Sequence, residues 1–428
     1  MKFLKDALQP FKKPLLIVGC FAIIFFIIGK GIPAIRDMIV GRSPIVGMEA
    51  ENENEYAKSS MIKVSDFDLY YLHENGKRTR MPDEGVTLSQ DKPNKVGETT
   101  EVTLKSGKWE CTVTLKNKRH VVAEIECGKP NLKDVKATIY DNGELSFTGT
   151  GDILSYNNNS YPWLSFDGID KNPITSITFE DTVKPIYMDG YFRELRELEY
   201  VENIPDSVES LEGTFSGCIA LKTAPDLEHC KNLLNMSSCF EDCTAMINPP
   251  SIPASVKNLD SCFKNCTELK EGTDVSHATG VTTAIRLYSG CSTLNKAELP
   301  PQVKIIDAAF ENCINIKKTP AIPDTVESMA NTFQNNASLV EASAIPSNVQ
   351  DVSGCFQGCK KLKGTLTVNS NPKQYSGFLS NAAIATNLDL QGSSKMLDIL
   401  AQQGNKNPNI TVNGNKPNYD ITYNQLDL

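Results

Sequence analysis

From about residue 190 the apolar positions of the chain recur in one order. A Val is followed three residues on by an apolar residue, four further by an aromatic, then by Cys and Leu at steps of three. The aromatic slot holds Phe215, Phe240, Phe263, Tyr288, Phe310, Phe333 and Phe356, at intervals of 25, 23, 25, 22, 23 and 23 residues. The next slot holds Cys218, Cys243, Cys266, Cys291, Cys313, Asn336 and Cys359, and the last Leu221, Met246, Leu269, Leu294, Ile316, Leu339 and Leu362. A unit of this length cannot bury an apolar face alone, so the units must stack into a solenoid with one continuous core. The seven aromatic residues are its expected repeat core.

Five units carry a further signal, an Ile-Pro or Leu-Pro pair four residues before the Val: Ile204/Val208, Ile252/Val256, Leu299/Val303, Ile322/Val326 and Ile345/Val349. Proline cannot donate a ladder hydrogen bond and stops the preceding strand. Steps of three and four then place Leu211, Leu259, Ile306, Met329 and Val352 on the same side of a helical or tight-turn segment as the aromatic slot. Each unit is predicted to be a short strand, a turn and a short helical or irregular return. Phe192/Leu195/Leu198 and Phe378/Asn381/Ile384 form incomplete units, expected to cap the ends.

Upstream the pattern changes twice. Residues 14–30 are almost wholly apolar and follow Lys2, Lys5, Lys12 and Lys13. The sixteen residues from Pro14 to Gly29 reach about 24 Å as a helix, short of a hydrocarbon core of roughly 30 Å, but the flanking Lys13 and Lys30 can snorkel. This reads as a signal anchor, with residues 1–13 cytoplasmic and the remainder outside; a cleaved signal peptide or a lipobox at Cys20 are the alternatives. Residues 31–60 are polar and Glu-rich, as in a juxtamembrane linker. Residues 61–130 alternate in the strand period, as in 100–104, 110–115 and 121–127, which predicts a small all-β spacer of immunoglobulin-like sandwich type. Lys116 to His120 reads as a hairpin turn that sets Cys111 opposite Cys127, making these two the candidate disulfide.

The repeat resembles the BspA-type leucine-rich repeats of bacterial surface proteins. The segment from Ile204 to Leu221 (IPDSVESLEGTFSGCIAL) matches that pattern nearly position for position. Residues 143–151, Pro162-Trp163 and 174–179 look like the opening module of such proteins, and 364–368 and 388–392 like their closing part. The resemblance implies a mainly β leucine-rich-repeat solenoid with short helical or irregular returns: an opening cap over 131–190, repeats over 191–385, and a C-terminal cap and tail over 386–428. It also implies a membrane-anchored recognition or adhesion role, with host matrix, a cell-surface protein or a polysaccharide as partner. The alternative is a structural or partner-docking ectodomain of a cell-envelope assembly.

Composition narrows the chemistry. A formal net charge of −9 with no basic cluster argues against nucleic acid. The four His stand apart, and no His-Glu-x-x-His, Gly-x-Ser-x-Gly or phosphate-cradling glycine loop occurs. No enzyme, cofactor or metal site is therefore expected. Cys at a repeat slot reads as a small buried hydrophobe. His229 and His277 replace the Ile-Pro signal in phase with each other, which marks a repeat variant.

One row does suggest a ligand. The position after the Leu slot should open the short strand and point outward. It holds Lys222, Ile247, Lys270, Asn295, Lys317, Val340 and Lys363. On an acidic chain this row, with Lys296 and Lys318 beside it, is the candidate ligand face for an acidic protein or polysaccharide.

Overall fold

The computed structural model describes residues 45–422 apart from 53, 57–60, 75, 93, 95–96, 98, 157–159 and 167–172. The signal anchor expected over 14–30 lies outside these residues. Among the described residues no helix is long and apolar enough to cross a membrane. The chain divides into two compact units, residues 1–119 and 120–428.

In the first unit, the segment expected as linker contributes strands: β1 (Ile45–Glu51) and β2 (Glu55–Tyr56). They are followed by β3 (Asp68–His73), β4 (Arg78–Arg80), β5 (Thr87–Leu88), β6 (Thr99–Ser106) and β7 (Trp109–Asn117). The sheets run β1-β3-β4 and β2-β7-β6-β5. Alternation fixes which side chains turn inward. Val102 and Leu104 from one sheet meet Met48 and Leu69 from the other, closing a core with Ile62, Phe67, Met81, Val86 and Leu115. The unit is thus a two-sheet β sandwich.

The predicted hairpin between 110–115 and 121–127 does not form. β7 pairs with β6 and β2, whereas β8 (Val121–Glu126) pairs with β10 (Val135–Tyr140) in the second unit. Cys111 therefore lies in β7 of the first unit and Cys127 just past the end of β8 in the second, and both are free thiols. Both strands have the period-2 pattern, but period alone does not choose a partner.

β8 opens a five-stranded sheet of order β14-β13-β11-β10-β8, with β11 (Glu144–Gly149), β13 (Ser176–Phe179) and β14 (Tyr200–Val201). Two short strands, β9 (Gly128–Lys129) and β12 (Asp152–Ile153), pair beside it. Pairing is antiparallel from β8 to β11 and parallel from β11 to β14. The sheet thereby turns a folded-back cap into one strand per rung. Trp163 is fully buried there, its Nε1 donating to the Tyr191 carbonyl at 2.7 Å.

Over residues 202–363 the rungs carry no helix; turns alternate with two single-residue parallel ladders. One ladder joins Tyr187, Ser210, Asn235, Asn258, Thr283, Ile305, Ser328, Asp351 and Gln374. The other lies two residues past the Leu slot and includes Thr223–Asn248, Glu271–Lys296 and Lys318–Glu341. The predicted strand is thus one residue long, and the other ladder was missed. At the far end β15 (Gly364–Thr367), β16 (Leu388–Gln391) and β17 (Ile410–Val412) stack in parallel. Helix α1 (Leu397–Gln402) turns Leu397, Ile399, Leu400 and Ala401 into the core. The helix packs against β16 and β17. One hydrophobic cluster runs from Cys127 to Ile410.

Inside the array the aromatic rings form a single column. From Phe192 to Phe356 successive ring centroids are 5.5–5.7 Å apart, with planes within 29° of parallel. This offset stacking adds to the burial of each ring. Phe378 meets Phe356 edge-on at 69°, and the column ends there. In that last unit Ile384 is exposed, whereas Leu379, Ala382 and Ala383 are buried. The expected Phe378/Asn381/Ile384 phase does not hold.

Candidate recognition face

The lysine row sits where rungs bond, Lys222 to Ile247, Lys270 to Asn295 and Lys317 to Val340. The Lys222 carbonyl accepts from Ile247 N at 2.8 Å and Asn248 N at 3.1 Å. The Lys317 carbonyl accepts likewise from Val340 N and Glu341 N, and Lys270 O accepts from Asn295 N. These backbone bonds hold the paired rungs in line. Lys222, Lys270, Lys317 and Lys363 are all exposed, and among the described residues none forms a salt bridge. They occupy alternate rungs, with Ile247, Asn295 and Val340 between them. With rungs stacked at the ring spacing of 5.5–5.7 Å, successive lysines lie about 11 Å apart, near the screening length at physiological salt.

Lys296 and Lys318 flank the row on the adjacent ladder and differ from each other. Lys318 Nζ reaches Glu341 at 3.4 Å, with both side chains mostly exposed. Such a pair is weak and readily exchanged. Both lysines also line a recess of about 620 Å³ with Asn295, Ala297, Leu299, Ile316, Pro320 and Ile322 among its walls. A second recess of about 380 Å³ lies between 271–276 and Lys296–Glu298.

Beneath the face the thiols have partners that sequence reasoning missed. Each slot Cys donates to the carbonyl of the aromatic slot one rung earlier: Cys218 to Phe192, Cys243 to Phe215, Cys266 to Phe240, Cys291 to Phe263, Cys313 to Tyr288 and Cys359 to Phe333, at 3.0–3.2 Å. Burial pushes Cys291 and Cys359 up to about 12 and Cys266 well above the ordinary thiol range. Protonated, they serve as donors and are poor nucleophiles. Asn336 fills this slot in the remaining rung; it is fully buried, and neither amide atom has a hydrogen-bond partner among the described residues.

Two residues on either side of each ring the backbone adopts positive φ, as at Ser261 and Asn265 around Phe263 and Asn331 and Asn335 around Phe333. The recurrence of Gly, Asn, Asp and Ser at these offsets was a readable turn signal. At Gly290 the requirement is double: φ is +80°, and a Cβ would lie 2.1 Å from Asn265 Oδ1.

The in-phase histidine has a structural role. His229 Nε2 lies 2.6 Å from the Ile204 carbonyl oxygen, so it donates to the preceding rung. Cys230 beside it is pushed up to about 12, chiefly by burial and then by Asp206 and Asp226. Among the described residues no group of three or more His, Cys, Asp or Glu is gathered as a metal site would require.

A stacked array of 22- to 25-residue rungs with a shared aromatic column and a thiol ladder defines a leucine-rich-repeat solenoid. The BspA-type leucine-rich-repeat pattern matches six copies over residues 165–284 and 283–382, just over half of the chain. The chain belongs to the BspA-type leucine-rich-repeat family. No curated protein shows significant similarity to it.

Among solved structures, a leucine-rich repeat protein from Bacteroides ovatus is 17% identical, covering 68% of this chain and 99% of its own, with a TM-score of 0.33. One from Eubacterium ventriosum is 14% identical, covering 63% and 96%, with a TM-score of 0.30. A leucine rich cell surface protein from Faecalibacterium prausnitzii is 14% identical, covering 56% and 93%, with a TM-score of 0.20.

Proposed function

We propose that this chain is a cell-surface recognition protein. In this reading residues 14–30 anchor it in the membrane, the β sandwich serves as an immunoglobulin-like spacer, and the solenoid binds a macromolecular partner. Membership of a repeat family supports a binding role rather than catalysis. The observation that carries the reading is the lysine row: Lys222, Lys270, Lys317 and Lys363 repeat on alternate rungs, exposed and outside any salt bridge among the described residues, on a chain of net charge −9. An extended polyanion with charges about 11 Å apart could engage several at once, and the attraction would weaken with salt.

The test uses the full chain on immobilised polyglutamate and dextran sulfate. Changing all four lysines to Glu should lower retention about tenfold or more at low salt and flatten its salt dependence. Urea denaturation should be unaltered, because the side chains are exposed. Retention and salt dependence equal to the unmodified chain would refute the face.

A further inference from the structure

The rungs are not equal, and their inequality has a location. Between the two ladders the connecting segment runs 12 residues in the rung from Glu271 to Thr283, nine from Lys296 to Ile305 and ten from Lys318 to Ser328. The nine-residue segment belongs to the 22-residue interval between Tyr288 and Phe310. A shorter segment cannot bulge as far as its neighbours, so it forms the floor of a recess against each of them. The two recesses described above flank this rung.

Two other departures from the repeat fall here. Tyr288 replaces Phe, and its hydroxyl accepts from Thr273 N at 3.2 Å. Gly272 lies beside it, where a Cβ would come within 2.8 Å of that hydroxyl and 2.5 Å of the Ala297 Cβ. Gly272 N also donates to the Lys296 carbonyl at 2.8 Å, which ties the start of the short segment to the rung before it. On the other side, among the described residues, no backbone bridge joins Lys296 to Lys318.

That recess has the chemistry of a binding site. Leu299, Ile316, Pro320 and Ile322 give it an apolar floor, and its volume of about 620 Å³ falls within the range of ligand sites. Two ammonium groups, Lys296 and Lys318, stand on its rim against the single carboxylate of Glu298. The Lys318–Glu341 pair at 3.4 Å is solvent-exposed and can exchange partners. No aromatic ring lines the recess as a platform for a sugar.

We propose that the recess beside the short rung docks an extended, acidic segment of a partner protein. One apolar side chain of that segment enters between Leu299 and Ile322, and flanking carboxylates meet Lys296 and Lys318. This rests on the solenoid being a recognition module and names both the position and the class of partner.

The experiment screens the full chain against immobilised peptides in which a leucine or phenylalanine is flanked by glutamates, with serine- and lysine-flanked controls. Glutamate-flanked apolar peptides should be retained best. Ala321→Trp, at an exposed wall position, fills the recess without touching the core and should lower that retention about tenfold. Lys296→Glu with Lys318→Glu should do the same, most strongly at low salt. At high salt, where long-range attraction is screened, the quadruple Lys→Glu variant of the row should lose less retention of the glutamate-flanked apolar peptides than either recess variant does. Thermal melting of each variant checks its fold, and Ile322→Ser replaces Ala321→Trp should the latter melt early. Equal retention of all peptides, or retention untouched by both recess variants, overturns the proposal. Should the chain bind polyanions through its lysine row yet retain no peptide, the recess assignment fails while the recognition face stands.

Discussion

The β sandwich and the solenoid solve the same burial problem with opposite kinds of contact. In the sandwich β1 pairs with β3, and β2 with β7, setting Glu55 against Lys116 across the unit. Each strand there has a neighbourhood no other strand shares. In the solenoid each rung meets the rungs before and after it, and the ring, thiol and carbonyl of one unit touch the same groups of the next. A shared environment imposes a shared sequence, so the solenoid can be read by its period, whereas the sandwich offers only alternation. The two units also differ in chemistry. The solenoid carries a column of buried thiols; among the described residues the sandwich has only the half-buried Cys111.

The largest way to sharpen this contrast is alkali. An unfolded thiol ionises near pH 8.5, while burial holds Cys230, Cys291 and Cys359 up at about 12. A thiol whose folded value is raised contributes its full stabilisation below the unfolded value and loses it as pH rises from there to the folded one. The solenoid should therefore weaken between about pH 8.5 and 12, by about 1.4 kcal/mol per thiol per pH unit. Burial, with Glu49 adding less, also raises Cys111, but that is one group. Hydrogen exchange compared at pH 7 and pH 9.5, corrected for intrinsic rates, should show protection lost from the rungs first. Earlier loss from the sandwich would reverse the comparison.

Next in size is the ring column. Phe263→Ala removes a fully buried ring stacked on both sides and should cost about 3–5 kcal/mol. Because each rung rests on its neighbours, faster exchange should spread to the rungs on either side. Leu104→Ala, at a fully buried sandwich position, should loosen the first unit as a whole. A strictly local effect of Phe263→Ala would argue against nearest-neighbour coupling.

The smallest effect concerns the break in the thiol ladder. Asn336→Cys replaces a buried amide that has no partner among the described residues by the donor used in every other complete rung, aimed at the Phe310 carbonyl. It should stabilise by about 1–3 kcal/mol in urea denaturation. A neutral or destabilising outcome would mean that Asn336 is satisfied by bound water.

How far the sequence could be read follows from these contacts. Periodicity alone identified the aromatic slot from Phe215 to Phe356 and the Cys and Leu slots, all of them buried. These depend only on each unit meeting its like. The pairing of 110–115 with 121–127 was misread because an alternating strand shows which face is buried but not which strand lies beside it. The start of the sandwich at Ile45 was missed because edge segments rich in Glu resemble a linker. The returns are turns and not helices because backbone donors are satisfied by the neighbouring rung, as when Phe263 N bonds Leu287 O. No single unit's sequence contains that partner.

What the sequence determined by itself is the repeat, since apolar spacing, proline stops and slot identity are local consequences of stacking equal units. What only the tertiary structure decided is what adjacent rungs do to one another. It gave each slot thiol the carbonyl of the preceding ring, left Asn336 without a hydrogen-bond partner among the described residues, and converted one short interval into a recess beside Lys296 and Lys318. These follow from differences between neighbours in three dimensions, and a repeat read unit by unit averages such differences away.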